Sequence, residues 1–498
     1  MLGLGTASND GDLLNVISEQ LERLLTKAII KVKQNTLLLG SISLVWLILR
    51  TGTKPTRISY PCQKAALAQS CLLFTSFVLP SLAVIPKGVV RVTRSKKVLF
   101  VLLLIVFGGA TFLILQSREE KATRLEIAPS KAREFPASTI LVVNGVSTAD
   151  CYPAVRQLIG LMSSNGLYFY KSETKGGDQD PNGMIASDDV VIIKVNCQWS
   201  ERGGTNTDLV KALIKAILEH PDGFKGEIVI ADNGQGRGSL SWSQSNAEDH
   251  SQSFEEVEAY FSAHRVSTYL WDNIATQVAR EYSEGDLEDG YVITELRLAG
   301  AGSKSQNVSY PKFKTKFGTY ISFARGIWDP KTEAYDSSRL KVINVPVLKS
   351  HSVYGFTASI KHYMGVVSQP LTNIHSVIGQ GALGTELANT RYPVLNIIDA
   401  IWINAHPGTG PATSYSEAVR ADLILASTDP IALDTWATRH VLLEVAKRKG
   451  FASGEIPQFD PDSSYLKNSM SELLKYGYQV TMDESHMEIS VADLASGP

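Results

Sequence analysis

Apolar residues are distributed in two ways along the chain. Up to about residue 115 they fall in long runs without charge; from Ser138 onward they fall in short runs separated by polar turns. The first segment differs from both. Over residues 10–33, Leu13, Leu14, Ile17, Leu21, Leu24, Leu25 and Ala28 recur at helical spacing between charged positions, which predicts an amphipathic helix within 1–35. Thr36–Leu49, Ala65–Ile85 and Val98–Leu115 then form three uncharged runs. A bilayer-spanning helix needs roughly 20 apolar residues, so the second and third read as spans and the first as a span only if Ala28–Ile30 extends it. Residues 36–115 are therefore expected to form a transmembrane α-helical region of two or three spans. The first run starts too far into the chain for a cleavable signal peptide. Residues 116–137, charged and mixed in sign, read as a linker.

From Ser138 the pattern is that of an α/β domain reaching residue 498. Thr139–Asn144 reads as a strand and Ala154–Met162 as a helix. Residues 171–188 form a loop without EF-hand spacing. Asp189–Val195, Asp208–Leu218 and Glu227–Ala231 follow as strand, helix and strand, the order of a βαβ unit. The Gly234–Gly238 tail is neither a dinucleotide fingerprint nor a P-loop, because its spacing is wrong and no helix follows it. Residues 239–338 are less regular and read as an insertion, with helices at Phe254–His264 and Trp271–Arg280 and strands at Tyr291–Leu298 and Tyr320–Phe323. Leu340–Leu348 is a buried strand that stops at Lys349, Ser350, His351 and Ser352, before about ten helical residues ending near Gly365. Gln380–Leu387 and Val394–Ala405 read as helices and Ala421–Ala426 as a strand. Pro430 then begins a helix to about Lys447. The expected fold is a mostly parallel sheet flanked by helices, preceded by the α-helical transmembrane segment.

Charge separates the two regions. Residues 1–134 hold 18 Lys/Arg against 8 Asp/Glu, a net +10, and the remainder is net −12. An acidic C-terminal body excludes broad nucleic-acid binding, which needs a basic face. The cations of the N-terminal part sit beside the apolar runs, where membrane lipid phosphates are their natural partners. Lys87, Arg91, Arg94, Lys96 and Lys97 favour the cytoplasm for their loop and place the C-terminal body outside, whereas the four cations of 50–64 pull the other way. The expected location is thus the membrane, with an extracytoplasmic soluble domain. Cys62, Cys71, Cys151 and Cys197 form no CxxC pair, so neither a disulfide framework nor a four-thiolate cluster is expected; Cys151–Cys197 is the pairing left open.

The chemistry-bearing residues gather at strand ends: Lys194 and Asn196, Asp232, Lys349 and His351, and Thr428 with Asp429. In a parallel sheet all these ends share one edge, where ligands bind. A lysine buried there needs an anion, supplied either by an Asp or by a ligand carboxylate or phosphate. A helix N-terminus after Ser352 would add N–H donors. A buried lysine can also lose its proton and act as a base or a Schiff-base nucleophile. Lys194, Asn196, Lys361, His362 and Asp429 are the candidate ligand-binding residues, with His351, Lys349 and Asp232 the candidate catalytic ones. The His and carboxylate groups lack a metal-ligand spacing, so no metal is assigned, and the cofactor is unknown.

The segments Ile192–Trp199, Ile228–Gln235, Val342–Gly365, Val394–Ile401, Gly408–Pro411 and Leu423–Asp434 recur in this order in a known family. Over roughly Thr139 to Leu443 the chain resembles the domain of unknown function 362 family. The resemblance implies an α/β fold and no settled reaction. Related proteins are often exported or carry a ferredoxin-type iron–sulfur module, which makes a redox partner protein an expectation. The cysteines of that module are absent here. The chain also departs from the usual pattern with Lys194-Val195-Asn196 in place of Lys-Pro-Asn, and with His362 in place of Asn. The expected function is a membrane-anchored protein binding a small anionic ligand, as a redox-linked or metabolite-processing enzyme; the alternative is a non-catalytic membrane-tethered binding or scaffold protein.

Overall fold

A computed structural model describes residues 125–132, 138–454 and 456–494. The amphipathic helix expected over 1–35, the spans expected over 36–115 and most of the 116–137 linker lie outside these residues. Among the described residues, no helix is long and apolar enough to cross a membrane.

A ten-stranded sheet organises the domain. Its strands are β1 Ser138–Asn144, β2 Val190–Lys194, β3 Glu227–Asp232, β4 Val266–Leu270, β5 Leu340–Asn344, β6 Val347–His351, β7 Gly355–Thr357, β8 Leu395–Asn404, β9 Val419–Ser427 and β10 Met487–Asp493. The order is β10-β1-β9-β8-β5-β2-β3-β4, with β6 pairing β8 and β7. The run from β8 to β4 is parallel. β9 is antiparallel to both its neighbours, β8 and β1. The sheet is therefore mixed, where a mostly parallel one was expected.

Both faces of this sheet are covered, which explains why its strands read as unbroken apolar runs. In β2, Val190 and Ile192 face one core while Val191 and Ile193 face the other, and β1 splits Ile140 and Val142 from Leu141 and Val143 in the same way. One face packs on helices α1 (Tyr152–Ser164), α2 (Thr207–Leu218) and α3 (Phe254–Tyr260). The other packs on residues from α4 (Ser359–His362), α5 (Ala382–Asn389), α6 (Pro430–Ala437) and α7 (Tyr465–Lys475), and on a five-stranded antiparallel sheet spanning Gly290–Asp336.

Four expectations change. Val394–Ala405 is strand β8 and not a helix. A strand buried on both faces carries apolar side chains at every position, and its spacing then fits a helix as well. Trp271–Arg280 forms only a short 3-10 turn at Trp271–Ile274. The stretch expected as an insertion over 239–338 first contributes β4 to the central sheet, and only afterwards forms the separate antiparallel sheet. The single strand expected over Leu340–Leu348 is two, β5 and β6, broken at Pro346, which has no N–H to continue a ladder.

After β6 the chain turns back into hairpin strand β7, so the helix expected after Ser352 begins only at Ser359 and is four residues long. Its first N–H groups, on Ser359 and Ile360, donate to the two carboxylate oxygens of the fully buried Asp434 at 2.7 and 2.9 Å. Burial raises the Asp434 carboxyl to about 7, with the two N–H donors pulling the other way. Asp434→Ala should leave two buried donors bare and lower the unfolding free energy by roughly 2–4 kcal/mol in a denaturant titration.

Candidate functional site

Parallel β2, β3 and β5 end in register, with Lys194 opposite Ala231 and Asn344 opposite Lys194. The last residues of β2 and β3, Lys194 and Asp232, therefore meet at the carboxyl edge. Lys194 Nζ donates to Asp232 Oδ1 at 2.7 Å and to Val195 O at 3.1 Å, with both side chains almost wholly buried. The other carboxylate oxygen, Oδ2, accepts from Cys197 N at 2.9 Å. Gly365 passes directly over this pair, and a Cβ there would overlap both Asp232 Oδ1 and Lys194 Nζ. Its carbonyl accepts from Asn233 N at 3.0 Å, which ties the segment after α4 to the end of β3.

Above the pair lies a cavity of ≈ 420 Å³. Lys194, Asn196, Asp232, Lys349, His351, Lys361 and His362 all line it. Asp429 does not. β9 runs antiparallel, so its carboxyl end points away from this edge. There Asp429 caps α6 through Ile431 N and Ala432 N and accepts from Ser138 Oγ at 2.6 Å, beside the first residue of β1.

The two lysines from β6 and α4 differ from Lys194. Lys349 is buried and donates to the carbonyl of Gly203; Lys361 is buried with its Nζ 4.9 Å from the Tyr354 ring centroid. Among the described residues neither forms an ion pair. Burial pushes Lys349 down to about 7, helped by the nearby Lys361 charge, and burial takes Lys361 down to about 7 as well. Burial also lowers Lys194, against the pull of Asp232.

The histidines are neutral. Burial, together with the charges of Lys361 and Lys349, depresses His351 to about 2. Its Nδ1 accepts from Val353 N at 3.1 Å and Tyr354 N at 3.2 Å, so the ring carries its proton on Nε2 and is a hydrogen-bond donor. The second cation expected at this strand end is thus absent at neutral pH. Burial likewise holds His362 well below its ordinary value. His362 Nδ1 lies 2.7 Å from Asn344 Oδ1, and Asn344 Nδ2 donates to Ser359 O and Asn396 Oδ1. The ring is fixed to the end of β5 as a wall of the cavity. Asp232, with both oxygens committed, is a structural counter-ion and not a free base.

Some lining residues carried no signal of their own. Trp199 and Arg237 follow the ends of β2 and β3 by only a few positions, and the Arg237 guanidinium lies 5.4 Å from the Trp199 ring centroid. The strand-end argument finds them only if it is extended into the following loops. The glycine-rich turn is held by Asp272, whose carboxylate accepts from Gly234 N at 3.1 Å and Gly236 N at 2.8 Å. Those N–H groups are thus unavailable for a phosphate. Cys151 and Cys197 are buried free thiols, so the pairing left open does not form. Among the described residues no three His, Cys, Asp or Glu side chains are placed to hold a metal ion.

The fold is α/β with a mixed sheet, and the cavity at the carboxyl edge of its parallel strands is lined by three lysines and Arg237 against the single carboxylate of Asp232. Residues 338–439, which carry Lys349, His351, Lys361 and His362, match the family described as "Domain of unknown function (DUF362)". The chain is also similar to the thylakoid-associated protein sll1697 of Synechocystis sp. (strain ATCC 27184 / PCC 6803 / Kazusa), 28% identical over 165 residues, which is 30% of this chain and 50% of that protein. The chain thus spans about half the length of the curated relative it matches. No solved structure matches it.

The lowered lysines set a pH signature. Unfolded, they hold their protons to near 10.5; folded, Lys349 and Lys361 release them near 7. The unfolded chain therefore binds more protons between these values, and stability rises with pH across that window. The raised carboxyls of Asp399, Asp429 and Asp434 titrate at about 6 to 7, the depressed histidines act below their ordinary 6.5, and the buried thiols of Cys151 and Cys197, raised well above their ordinary value, oppose the lysines as pH nears 9. The melting temperature of the ligand-free chain should climb from pH 7 to about pH 8, before the thiols contribute. In Lys349→Met/Lys361→Met most of that climb should be lost, leaving the contributions of Lys194 and Lys312, which burial also lowers.

Proposed function

We propose that the cavity binds a small anion carrying a carboxylate or phosphate, and that the protein is a membrane-tethered enzyme acting on it. The observation that carries this reading is the charge imbalance of the buried wall. Lys349 and Lys361 face the cavity without an ion-pair partner among the described residues, while the one carboxylate lining it, Asp232, is committed to Lys194. An isolated buried ammonium is costly, and a ligand anion removes that cost. The volume of ≈ 420 Å³ suits a metabolite-sized molecule. Asn196 Oδ1 and Thr357 Oγ1 are buried on the same lining without a hydrogen-bond partner, which adds a place for ligand hydroxyl or N–H groups. Membrane tethering rests on the uncharged runs within residues 36–115 and accords with the thylakoid association in the relative's name. Nothing in the cavity lining requires a redox role.

Anion binding should raise the lysine that meets the anion, Lys349, back toward its ordinary value, so binding takes up a proton and weakens as pH rises above 7. Calorimetric titration of the full-length chain with inorganic phosphate and with pyruvate, in buffers of different ionisation heat, measures both quantities. Lys349→Met and Lys361→Met should each weaken binding by at least roughly tenfold, the lower end for a charge-assisted hydrogen bond. Unchanged affinity in both variants would sink the reading.

A further inference from the structure

Lys361 differs from the other two lysines of the cavity in having no hydrogen-bond acceptor among the described residues. Lys194 is fixed as an ammonium by Asp232 and Val195 O. Lys349 is held by the carbonyl of Gly203, an acceptor that favours its protonated form. Lys361 Nζ lies 4.9 Å from the ring centroid of Tyr354, whose hydroxyl is itself engaged in donating to His375 O at 2.7 Å. An amine that is desolvated, close to another cation and without an acceptor is the arrangement that exposes a nitrogen lone pair.

From this geometry we infer that Lys361 is an amine nucleophile and that the ligand is a small oxo acid, whose anionic group lies on Lys349 and whose carbonyl carbon faces Lys361 Nζ. The inference rests on the anion site proposed above and assigns its substrate class. The neutral amine adds its lone pair to the carbonyl carbon, a C–N bond forms, and the carbonyl oxygen takes the proton that the nitrogen loses. The resulting carbinolamine then breaks its C–O bond. Its oxygen gains one further proton and departs as water, leaving a protonated imine on Lys361. The Lys349 ammonium is the proton donor on the same lining, and the neutral His351 offers its Nε2–H only as a hydrogen-bond donor to the departing oxygen. No oxidant or reductant enters. A low value of about 7 supplies the free amine near neutrality.

The test is reductive trapping on the full-length chain. Pyruvate and glyoxylate are supplied with sodium cyanoborohydride, and the modified lysines are mapped by peptide mass spectrometry. The expected result is a carboxyalkyl adduct at Lys361 that excess lactate, which offers the carboxylate without the carbonyl, suppresses. The adduct should be lost in Lys361→Arg and diminished in Lys349→Met, with circular dichroism confirming that both variants fold. Trace labelling with acetic anhydride at pH 7 is independent of ligand choice, and Lys361 should react faster than the exposed lysines once solvent access is established by binding. Pyruvate that binds calorimetrically but leaves no adduct at Lys361, together with slow labelling there, overturns the nucleophile and leaves the anion site standing. An adduct confined to Lys349 overturns the assignment of roles. Absence of any anion binding overturns both readings.

Discussion

The buried ion pair between Lys194 and Asp232 is the interaction on which the site depends. It joins the last residues of two neighbouring parallel strands, and it holds the start of the following loop through Cys197 N. Gly365 closes over it because no side chain fits there, and the carbonyl of Gly365 takes the N–H of Asn233. One pair thus sets the floor of the cavity, the departure of two loops and the position of the segment that follows α4. Removing one partner of such a pair typically costs about 3–5 kcal/mol, because the other charge is left buried and bare. The pair is therefore a structural requirement before it is a chemical one.

With Asp232 consumed in that way, the remaining cations face the cavity uncompensated. Three other buried carboxylates are engaged in the fold itself. Asp399 accepts from Asn206 N, Asp434 caps α4, and Asp429 caps α6 away from the cavity lining. The histidines add no charge, since their burial keeps them neutral. An excess of buried ammonium over buried carboxylate persists in a stable fold only where a ligand or proton release relieves it. Both routes are open at Lys349 and Lys361, and this is the physical basis for reading the cavity as a site.

Much of the fold was legible where local pattern and tertiary environment agree. The strand–helix–strand unit from β2 through α2 to β3 follows from its apolar runs and from Asn206, whose side chain caps α2 as an N-cap residue should. β8 was illegible because burial on both faces erases the alternation that marks a strand. β7 was taken for the start of a helix because polar residues after an apolar run look like a helix start, whereas a hairpin satisfies the same backbone groups. For the site, Lys194, Asp232, Lys349 and His351 could be picked out as strand ends, and the parallel half of the sheet does gather them. Asp429 met the same criterion and lies elsewhere, since the criterion holds only for strands of one direction.

The chain by itself determined the apolar segments, the acidic body and the residues that end its strands, because these follow from composition and spacing. Strand direction, and with it which strand ends share an edge, was decided only by the tertiary structure, since pairing partners lie far apart in sequence. The same holds for protonation. Sequence places Lys349, His351 and Lys361 near one another, but whether each carries charge depends on burial and on hydrogen bonds from distant segments: Gly203 for one lysine, two main-chain N–H groups for the histidine, and no acceptor among the described residues for Lys361.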